Sequence, residues 1–281
     1  MPATHPYIPR IAAIFDFDRT LASDTINAMC KAWGLSREDW EERYETPLGG
    51  NWDGILKRGQ ACIDCAQERG TPLTRSFFTE AAEHLRLFPG VDRLRERLGT
   101  VAREVLGEAE VELVVLSSGF SEMIEDSPVE QLFDRTWAGS FHFGTDGIAR
   151  GMKRIIGHPE KALYIEAYAK GLNLDQANAP KTDDPDFAEE DMHVPLDQII
   201  YVGDGASDLD SFGFVTNHGG LAIAINRSAS FEHVDQQTSD ERVDDVAEPD
   251  YSEGSELLEA LCHAVRSAAS RAAIRKLSRG Q

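Results

Sequence analysis

A short apolar run that ends in two aspartates constrains the fold of this chain more than any other feature. The run Ile11–Phe15 has the length and composition of a buried parallel strand, and Asp16 and Asp18 follow it. Open α/β sheets bind their ligands beyond the carboxyl ends of such strands. An extended backbone would point both carboxylates to one side, where they need a cation or a shared proton. The pair therefore predicts a metal site, an acid/base pair, or both.

Three further apolar runs also predict core strands, at Val111–Leu116, Ile199–Val202 and Leu221–Ile225. Helical spacing separates the four runs, which indicates an α/β fold with a mostly parallel sheet. Residues 22–86 carry helical spacing and no strand signal, so we expect a helical insertion above the strand ends. The amphipathic stretch Leu257–Leu277 predicts a final docking helix.

The charge of the chain limits the partners that it can bind. Its 281 residues include 49 acidic and 28 basic ones, for a net charge of -21. Like charges repel, so a nucleic acid or an anionic membrane is not expected as a partner. An anionic substrate would need local positive charge. The absence of a signal-peptide pattern, of a ~20-residue apolar span and of a disulfide framework predicts a cytoplasmic protein.

Two acidic segments, 173–197 and 226–256, have the composition of solvated loops, and a partner-binding role for them stays open. Cys62 and Cys65 have the spacing of a metal or redox pair, but no second pair accompanies them. On a predicted helix of the insertion they are better explained as one buried and one partly exposed thiol. Trp33, Trp40 and Trp52 are expected in the core of the insertion, and the alternative for Trp52, together with Arg58, is contact with a substrate.

Small residues follow the second predicted strand. Ser117, Ser118 and Gly119 come after its apolar run, and their backbone amides would form an anion-binding nest or a plain turn. Lys161 lies near the start of a predicted helix, with Lys153 as a nearby rival for the same role. Lysine near a helix start is slightly disfavoured by the helix dipole, although a solvated charge is its commonest explanation.

The third predicted strand also ends in acids. Gly203 and Gly205 allow a close approach of the backbone, Asp204 follows the strand, and Asp208 comes one helical turn later. Carboxylates at strand ends suit a hard cation such as Mg2+, and a glycine-rich turn with solvated acids is the alternative.

In this order and context, the motifs closely resemble those of the haloacid dehalogenase (HAD) superfamily of phosphohydrolases. The matching residues are Asp16, Asp18 and Thr20 for the first motif, Ser117 for the second, Lys161 for the third, and Gly203, Asp204 and Asp208 for the fourth. The resemblance implies a Rossmann-like core formed by residues 1–21 and 87–281. It also implies a helical cap, inserted after the first strand and formed by residues 22–86.

The resemblance implies a role for each matching residue. Asp16 would be the nucleophile that forms an aspartyl-phosphate, and Asp18 the general acid and then the general base. Ser117, with Ser118 and Gly119, would bind phosphoryl oxygens. Lys161 would neutralise charge on the phosphoryl group and on the nucleophile. The implied ligands of Mg2+ are Asp16, the carbonyl of Asp18, and Asp204, with support from Asp208.

The resemblance favours a phosphatase acting on a small phosphorylated metabolite, because carbon–halogen-cleaving members lack an aspartate at the position of Asp18. The phosphoserine-phosphatase-like branch is the most similar one. Its serine-specific members have a glutamate where this chain has Thr25 next to Asp24, and Arg19 and Ser207 are further departures. Phosphoserine is therefore one candidate substrate. A phosphomutase, or a non-catalytic module that binds Mg2+ or another protein, remains an alternative.

Overall fold

The protein is described by a computed structural model that covers residues 7–125, 127, 130–172, 174, 187–205, 207–225 and 245–279. Its sheet has seven strands in the order β4-β3-β2-β1-β5-β6-β7. The strands are β1 (Arg10–Phe15), β2 (Glu110–Phe120), β3 (Arg135–Phe143), β4 (Ala149–Arg154), β5 (Ile199–Gly203), β6 (Leu221–Ile225) and β7 (Asp245–Ala247). Only the β3–β4 pair is antiparallel. The predicted α/β fold with a mostly parallel sheet is confirmed.

Helices cover both faces of this sheet. The α-helices are α1 (Thr25–Ala32), α2 (Arg37–Trp40), α3 (Gly54–Arg69), α4 (Arg75–Ala82), α5 (Leu94–Val105), α6 (Ser121–Glu125), α7 (His158–Ala169), α8 (Leu209–Asn217) and α9 (Glu256–Ser278). A π-helix lies at Glu41–Glu45, and 3-10 turns lie at Thr46–Leu48, Val91–Arg93, Glu130–Leu132, Glu189–Asp191 and Leu196–Gln198. One core layer is formed with α5 and α9, and the other with α7 and α8. No helix of the described residues is long and apolar enough to cross a bilayer.

The central strand β1 positions the candidate site. Phe15 at its end pairs with Val115 of β2 on one side and with Val202 of β5 on the other. The chain continues from β1 to β2 and β3 in one direction and returns to β5 on the opposite side, so β1 lies at a topological switch point. The carboxyl ends of β1, β2 and β5 therefore meet at one edge of the sheet.

The helical segment after β1 contains α1 to α4, as its spacing predicts. Its apolar residues form a cluster of their own, with Trp33, Trp40 and Phe78 buried, and this cluster packs against Phe120 and Phe141 of the sheet. The division of the chain at residues 21/22 and 86/87 stays a prediction.

Trp33 and Trp40 are buried in the helical segment, as expected. Trp52 is 44% exposed, so its expected place in this core is wrong, and its contact with a substrate stays a prediction. The expectation for the two cysteines is also wrong. Cys62 and Cys65 are both fully buried, because positions three apart on α3 share the face that packs inward. Burial raises the pKa of Cys62 well above its usual range and that of Cys65 to about 11.

The sheet is wider than the sequence predicts. The strands β3 and β4 form an edge hairpin whose residues mix apolar and polar types, so they lack the continuous apolar run of a central strand. The third missed strand, β7, lies in the segment 226–256, and the 3-10 turn at Glu189–Asp191 lies in 173–197. These described parts correct the expectation of plain loops. Residues 173, 175–186 and 226–244 lie outside the described residues.

Tyr251 joins the C-terminal part of the chain to the loop after β1. Its buried hydroxyl donates a hydrogen bond of 2.9 Å to the carbonyl oxygen of Thr20. Its backbone N–H donates to the carbonyl oxygen of Pro89 at 2.8 Å, and Gly90 has a φ of 80° beside it. A Cβ added to Gly90 would lie 2.1 Å from the Tyr251 carbonyl oxygen, so only glycine fits this contact.

Candidate active site

Asp16 lies directly beyond β1 and is fixed on both its backbone and its side chain. Its N–H donates to the carbonyl oxygen of Val202 at 2.8 Å, which continues the pairing of β1 with β5. Its Oδ1 accepts a hydrogen bond of 3.0 Å from the Nζ of Lys161. Lys161 is fully buried, and Asp16 is only 5% exposed. The sequence motifs at residues 16 and 161 thus meet in a buried ion pair.

Asp208 is the second carboxylate on Lys161. Its Oδ1 accepts from Lys161 Nζ at 2.6 Å and from the hydroxyl of Tyr201 at 2.7 Å. Its Oδ2 accepts from the N–H of Asp204 at 3.1 Å and from the hydroxyl of Ser207 at 3.2 Å. The carboxylate of Asp208 is fully buried, and these four donors satisfy both of its oxygens. Asp208 therefore holds Lys161 and the turn after β5 together.

Gly203 makes the close approach of Asp208 possible. A Cβ at this position would lie 2.5 Å from the Asp208 carboxyl group, so a larger residue would displace it. The sequence prediction that this glycine permits a close approach of the backbone agrees with the contact. The partner that approaches is a side chain of the same turn.

Three carboxylates form a group that could hold a metal ion. One oxygen from each of Asp16, Asp204 and Asp208 lies within 4.8 Å of the others. These hard oxygen ligands are of the type that Mg2+ prefers. The side chain of Asp18 is not part of the group. Asp204 also forms an ion pair with the Nε of Arg19 at 2.7 Å, and Arg19 has a φ of 61°, which is uncommon for a residue other than glycine.

Asp18 has a separate set of partners. The N–H of Thr25, at the start of α1, donates to its Oδ1 at 2.8 Å, and the Thr25 hydroxyl donates to its Oδ2 at 2.9 Å. The strand has already ended at Phe15, and the N–H groups of Thr20, Leu21 and Ala22 turn back to the carbonyl of Phe17. The backbone therefore turns back on itself after Asp18.

Burial changes the acidity of these groups. Burial raises the pKa of Asp16 to about 8; the charge of Lys161 opposes the rise, while Asp208, Asp204 and Asp18 add to it. Burial also raises the pKa of Asp18 to about 7, with a contribution from Asp24 and opposition from the two Thr25 hydrogen bonds.

The lysine responds in the opposite direction. Burial lowers the pKa of Lys161, but the charges of Asp16 and Asp208 outweigh this and raise it well above its usual range. Lys161 is therefore a permanent cation. One such cation does not balance the surrounding acids, and a divalent cation at the three carboxylates would supply the missing positive charge.

The serines after the apolar part of β2 have different partners. Ser117 is buried, and its Oγ accepts the N–H of Gly119 at 3.0 Å. The hydroxyl of Ser118 donates to the carbonyl oxygen of Ile156 at 2.8 Å, which ties β2 to the segment before α7. A Cβ at Gly119 would lie 3.0 Å from Asp18 Oδ2. The glycine therefore brings the second motif next to the first.

The structure separates the two candidate lysines. Lys161 contacts Asp16, whereas Lys153 is exposed on β4. Sequence reasoning missed Tyr201 as a partner of Asp208 and Thr25 as the partner of Asp18. A signal for the latter exists, because Asp24 is a helix N-cap and the next residue's amide is then free to face the preceding loop.

Comparison with known proteins gives one informative sequence relative. No family model matches the chain. The chain is 29% identical to the phosphoserine phosphatase SerB2 of Mycobacterium tuberculosis over 225 residues, which are 79% of this chain and 45% of that protein. The chain thus spans less than half of the length of this relative.

Solved structures share the fold. A HAD family hydrolase from Salmonella enterica matches with a TM-score of 0.58 at 14% identity, over 93% of this chain and 72% of the other. A substrate-bound phosphoserine phosphatase matches with a TM-score of 0.55 at 17% identity, over 90% and 98%. The chain has the fold of the HAD hydrolases. The predicted resemblance to them in fold is confirmed, and the similarity in sequence is to a phosphoserine phosphatase.

Proposed function

We propose that the protein is a Mg2+-dependent phosphatase that hydrolyses a small phosphorylated metabolite. The observation that carries the proposal is the buried contact of Lys161 with Asp16 and Asp208, with Asp204 beside them at the strand ends. A binding module needs no buried lysine on a carboxylate that lies at a ligand crevice. The sequence relative and the shared fold support a phosphoric monoester hydrolase.

Asp16 is the nucleophile in this proposal. Its carboxylate oxygen forms a bond to phosphorus while the bond from phosphorus to the leaving oxygen breaks, which gives an aspartyl-phosphate. Asp18 donates its proton to the leaving oxygen. It then takes a proton from the water that attacks phosphorus, and phosphate and free Asp16 are released. A pKa of about 7 lets Asp18 serve in both steps near neutral pH.

The other residues bind and position the phosphoryl group. Lys161 offsets negative charge on Asp16 and on the phosphoryl oxygens, so an anion can enter an acidic protein. The hydroxyl of Ser117 and the amides near Ser118 and Gly119 donate to phosphoryl oxygens. In the structure the Gly119 amide donates to Ser117 Oγ, and a bound phosphoryl oxygen would replace that acceptor.

The residues present fit a divalent cation. Asp16 and Asp204, with the carbonyl of Asp18, would hold Mg2+, and Asp208 would orient Lys161 and the Asp204 backbone. When bound, the ion supplies positive charge that keeps Asp16 ionised and screens the phosphoryl oxygens. The pKa of Asp16 is raised although Lys161 opposes the rise, which supports a need for further positive charge.

The leaving group remains a matter for experiment. Phosphoserine is a candidate through the sequence relative. Thr25 gives both its donors to Asp18, so at this position the chain offers no carboxylate for a substrate ammonium group. Phosphorylated metabolites without an amino group are therefore candidates of equal standing.

The test is phosphate release from a panel of phosphorylated metabolites with Mg2+, with Asp16→Asn as a parallel sample. We expect release by the natural protein, none by Asp16→Asn, and none in a strong chelator. The variant changes one buried oxygen to nitrogen, so circular dichroism and thermal unfolding check that its fold is retained. Release that survives in Asp16→Asn rules out the nucleophile. Isomerisation of a sugar phosphate without release would favour a phosphomutase.

A further inference from the structure

A second pocket lies beside the edge hairpin of the sheet. Its volume is about 240 Å³, below the ~300–1,000 Å³ range typical of drug-sized ligands, so it suits a small molecule. Of the residues considered for the phosphatase site, its lining contains only Lys153, the rival that the structure separates from Asp16. The residues that the argument uses are Arg75, Glu122, Glu125, Lys153 and Arg154.

Glu122 is the buried acid of this pocket. It is 3% exposed, and its Oε1 accepts the N–H of Phe141 at 2.9 Å. Its Oε2 is buried and has no hydrogen-bond partner among the described residues. An unpaired buried carboxylate oxygen is destabilising unless a ligand supplies a donor. Burial raises the pKa of Glu122, and the charge of Glu125 adds to the rise, while the Phe141 hydrogen bond and the charge of Arg75 oppose it.

Positive charge lies in the lining of the same pocket. The side chains of Lys153 and Arg154 make no hydrogen bond or ion pair with any residue that the structure describes, whereas Arg75 reaches Glu125 at 3.5 Å. These two cations without an acidic partner lie beside a carboxylate with one unpaired oxygen, in a chain whose net charge is -21. They provide donors for an anionic group on the same ligand.

The arrangement excludes simpler ligands. A free anion would leave Glu122 Oε2 without a donor, and a metal ion would meet three cationic side chains. A molecule with an ammonium group and a carboxylate satisfies both ends at once. We propose that this pocket binds a free α-amino acid, with its ammonium group on Glu122 and its carboxylate on Lys153 and Arg154.

The pocket is connected to the phosphate-binding loop. Ser121 and Glu122 directly follow the second motif, and Ala138 and Ser140 of the lining flank Gly139 on β3. A Cβ at Gly139 would lie 2.9 Å from the carbonyl oxygen of Gly119, so the two backbones are in contact. A ligand held between α6 and β3 would therefore fix the strand against which Gly119 rests.

Calorimetry with glycine and L-alanine on the full chain tests the proposal. Neither amino acid has a hydroxyl that could be phosphorylated, so neither is a product of the proposed phosphatase. Acetate and methylamine serve as the two halves of glycine. We expect the amino acids to bind at least ~10-fold more tightly than either half, because each half makes only one of the two charged contacts.

Variants assign the binding to this pocket. Glu122→Gln keeps an acceptor for the Phe141 N–H, and Lys153→Met keeps the length of the side chain; each should weaken amino-acid binding at least ~10-fold. Lys31→Met, at an exposed position on α1, is the matched control and should bind as the natural protein does. Thermal unfolding with and without 10-fold excess ligand gives a second readout. Binding no tighter than that of acetate, or unchanged in Glu122→Gln, overturns the proposal.

Discussion

Thr25 donates two hydrogen bonds to Asp18, one from its backbone N–H and one from its hydroxyl, to the two different oxygens of the carboxylate. These donors favour the ionised form and oppose the rise in pKa that burial causes. The first residue of α1 thus limits the rise in the pKa of the proposed general acid.

Replacing Thr25 with valine should raise the pKa of Asp18. The first chemical step needs a protonated Asp18, so kcat/KM should fall as the pH rises through its pKa, which is about 7 in the natural protein. Thr25→Val removes one donor to the carboxylate and should shift this fall to higher pH. The pH dependence of kcat/KM measures it. Thr20→Val is the control, because the Thr20 hydroxyl is buried and has no hydrogen-bond partner in the described part of the chain. An unmoved profile in Thr25→Val would contradict the role of the hydroxyl.

Removing the charge of Lys161 should affect both stability and turnover. Lys161→Met leaves Asp16 and Asp208 without their buried cation. Breaking a buried ion pair in this way costs about 3–5 kcal/mol, so we expect a loss of this size in the free energy of unfolding. Urea denaturation measures it, and phosphate release should fall to background. Lys31→Met, on an exposed surface, should change neither quantity. A stable, active Lys161→Met protein would show that another cation does this work.

Arg19 should weaken metal binding. Its guanidinium contacts Oδ2 of Asp204, a residue of the proposed Mg2+ site, at 2.7 Å. Arg19→Gly removes this competitor and suits the φ of 61°. An exposed ion pair contributes up to about 1 kcal/mol, so the Mg2+ dissociation constant should fall by up to ~5-fold in calorimetry. Arg19→Lys keeps a positive charge and should lie closer to the natural protein. Weaker Mg2+ binding in Arg19→Gly would mean that Arg19 helps to hold the site.

The ionisation of Glu112 should make the free energy of unfolding depend on pH. Burial raises the pKa of Glu112, but His193, Tyr168 and Arg10 outweigh burial, and the net shift is downward. A carboxyl group with a lowered native pKa stabilises the fold at neutral pH, and this contribution is lost as the pH falls through that pKa. Glu112→Gln should therefore be less stable than the natural protein near pH 7 and more nearly equal to it in acid.

Urea denaturation at about pH 7 and about pH 4 measures this difference. Glu110→Gln is the matched control, since the side chain of Glu110 is 67% exposed and its contact with Arg10 is long, at 3.5 Å. Equal losses for Glu112→Gln at both pH values would exclude a contribution from the charge of Glu112.

The central part of this fold is predictable from the sequence because its strands are buried on both faces. The runs at Ile11–Phe15 and Ile199–Val202 are continuous and apolar. Each is followed by acids, which the end of a buried strand does not itself require. The strand β4 lies at the edge of the sheet and β3 beside it, and both mix buried with exposed residues, so their composition does not separate them from loops.

The partners within the site are harder to predict. Glu122 is a glutamate at the start of a helix, where an exposed acid is the ordinary expectation, and only packing against Phe141 buries it. In the sequence Tyr201 is an ordinary residue of a predicted buried strand, and only the structure shows that its hydroxyl donates to Asp208. Such contacts depend on how distant segments meet, which the spacing of residues along the chain does not encode.

The hydrogen bond from Tyr251 to Thr20 has a consequence for the order of events during synthesis. The two residues are 231 positions apart, so the loop that carries Asp16 and Asp18 lacks this support until Tyr251 has been synthesised and has folded back onto it. Contacts of such separation form late, because closing a long loop is entropically unfavourable until other contacts hold it. The loop after the central strand is therefore translated early but reaches its final shape late, when a segment more than two hundred residues further along has docked.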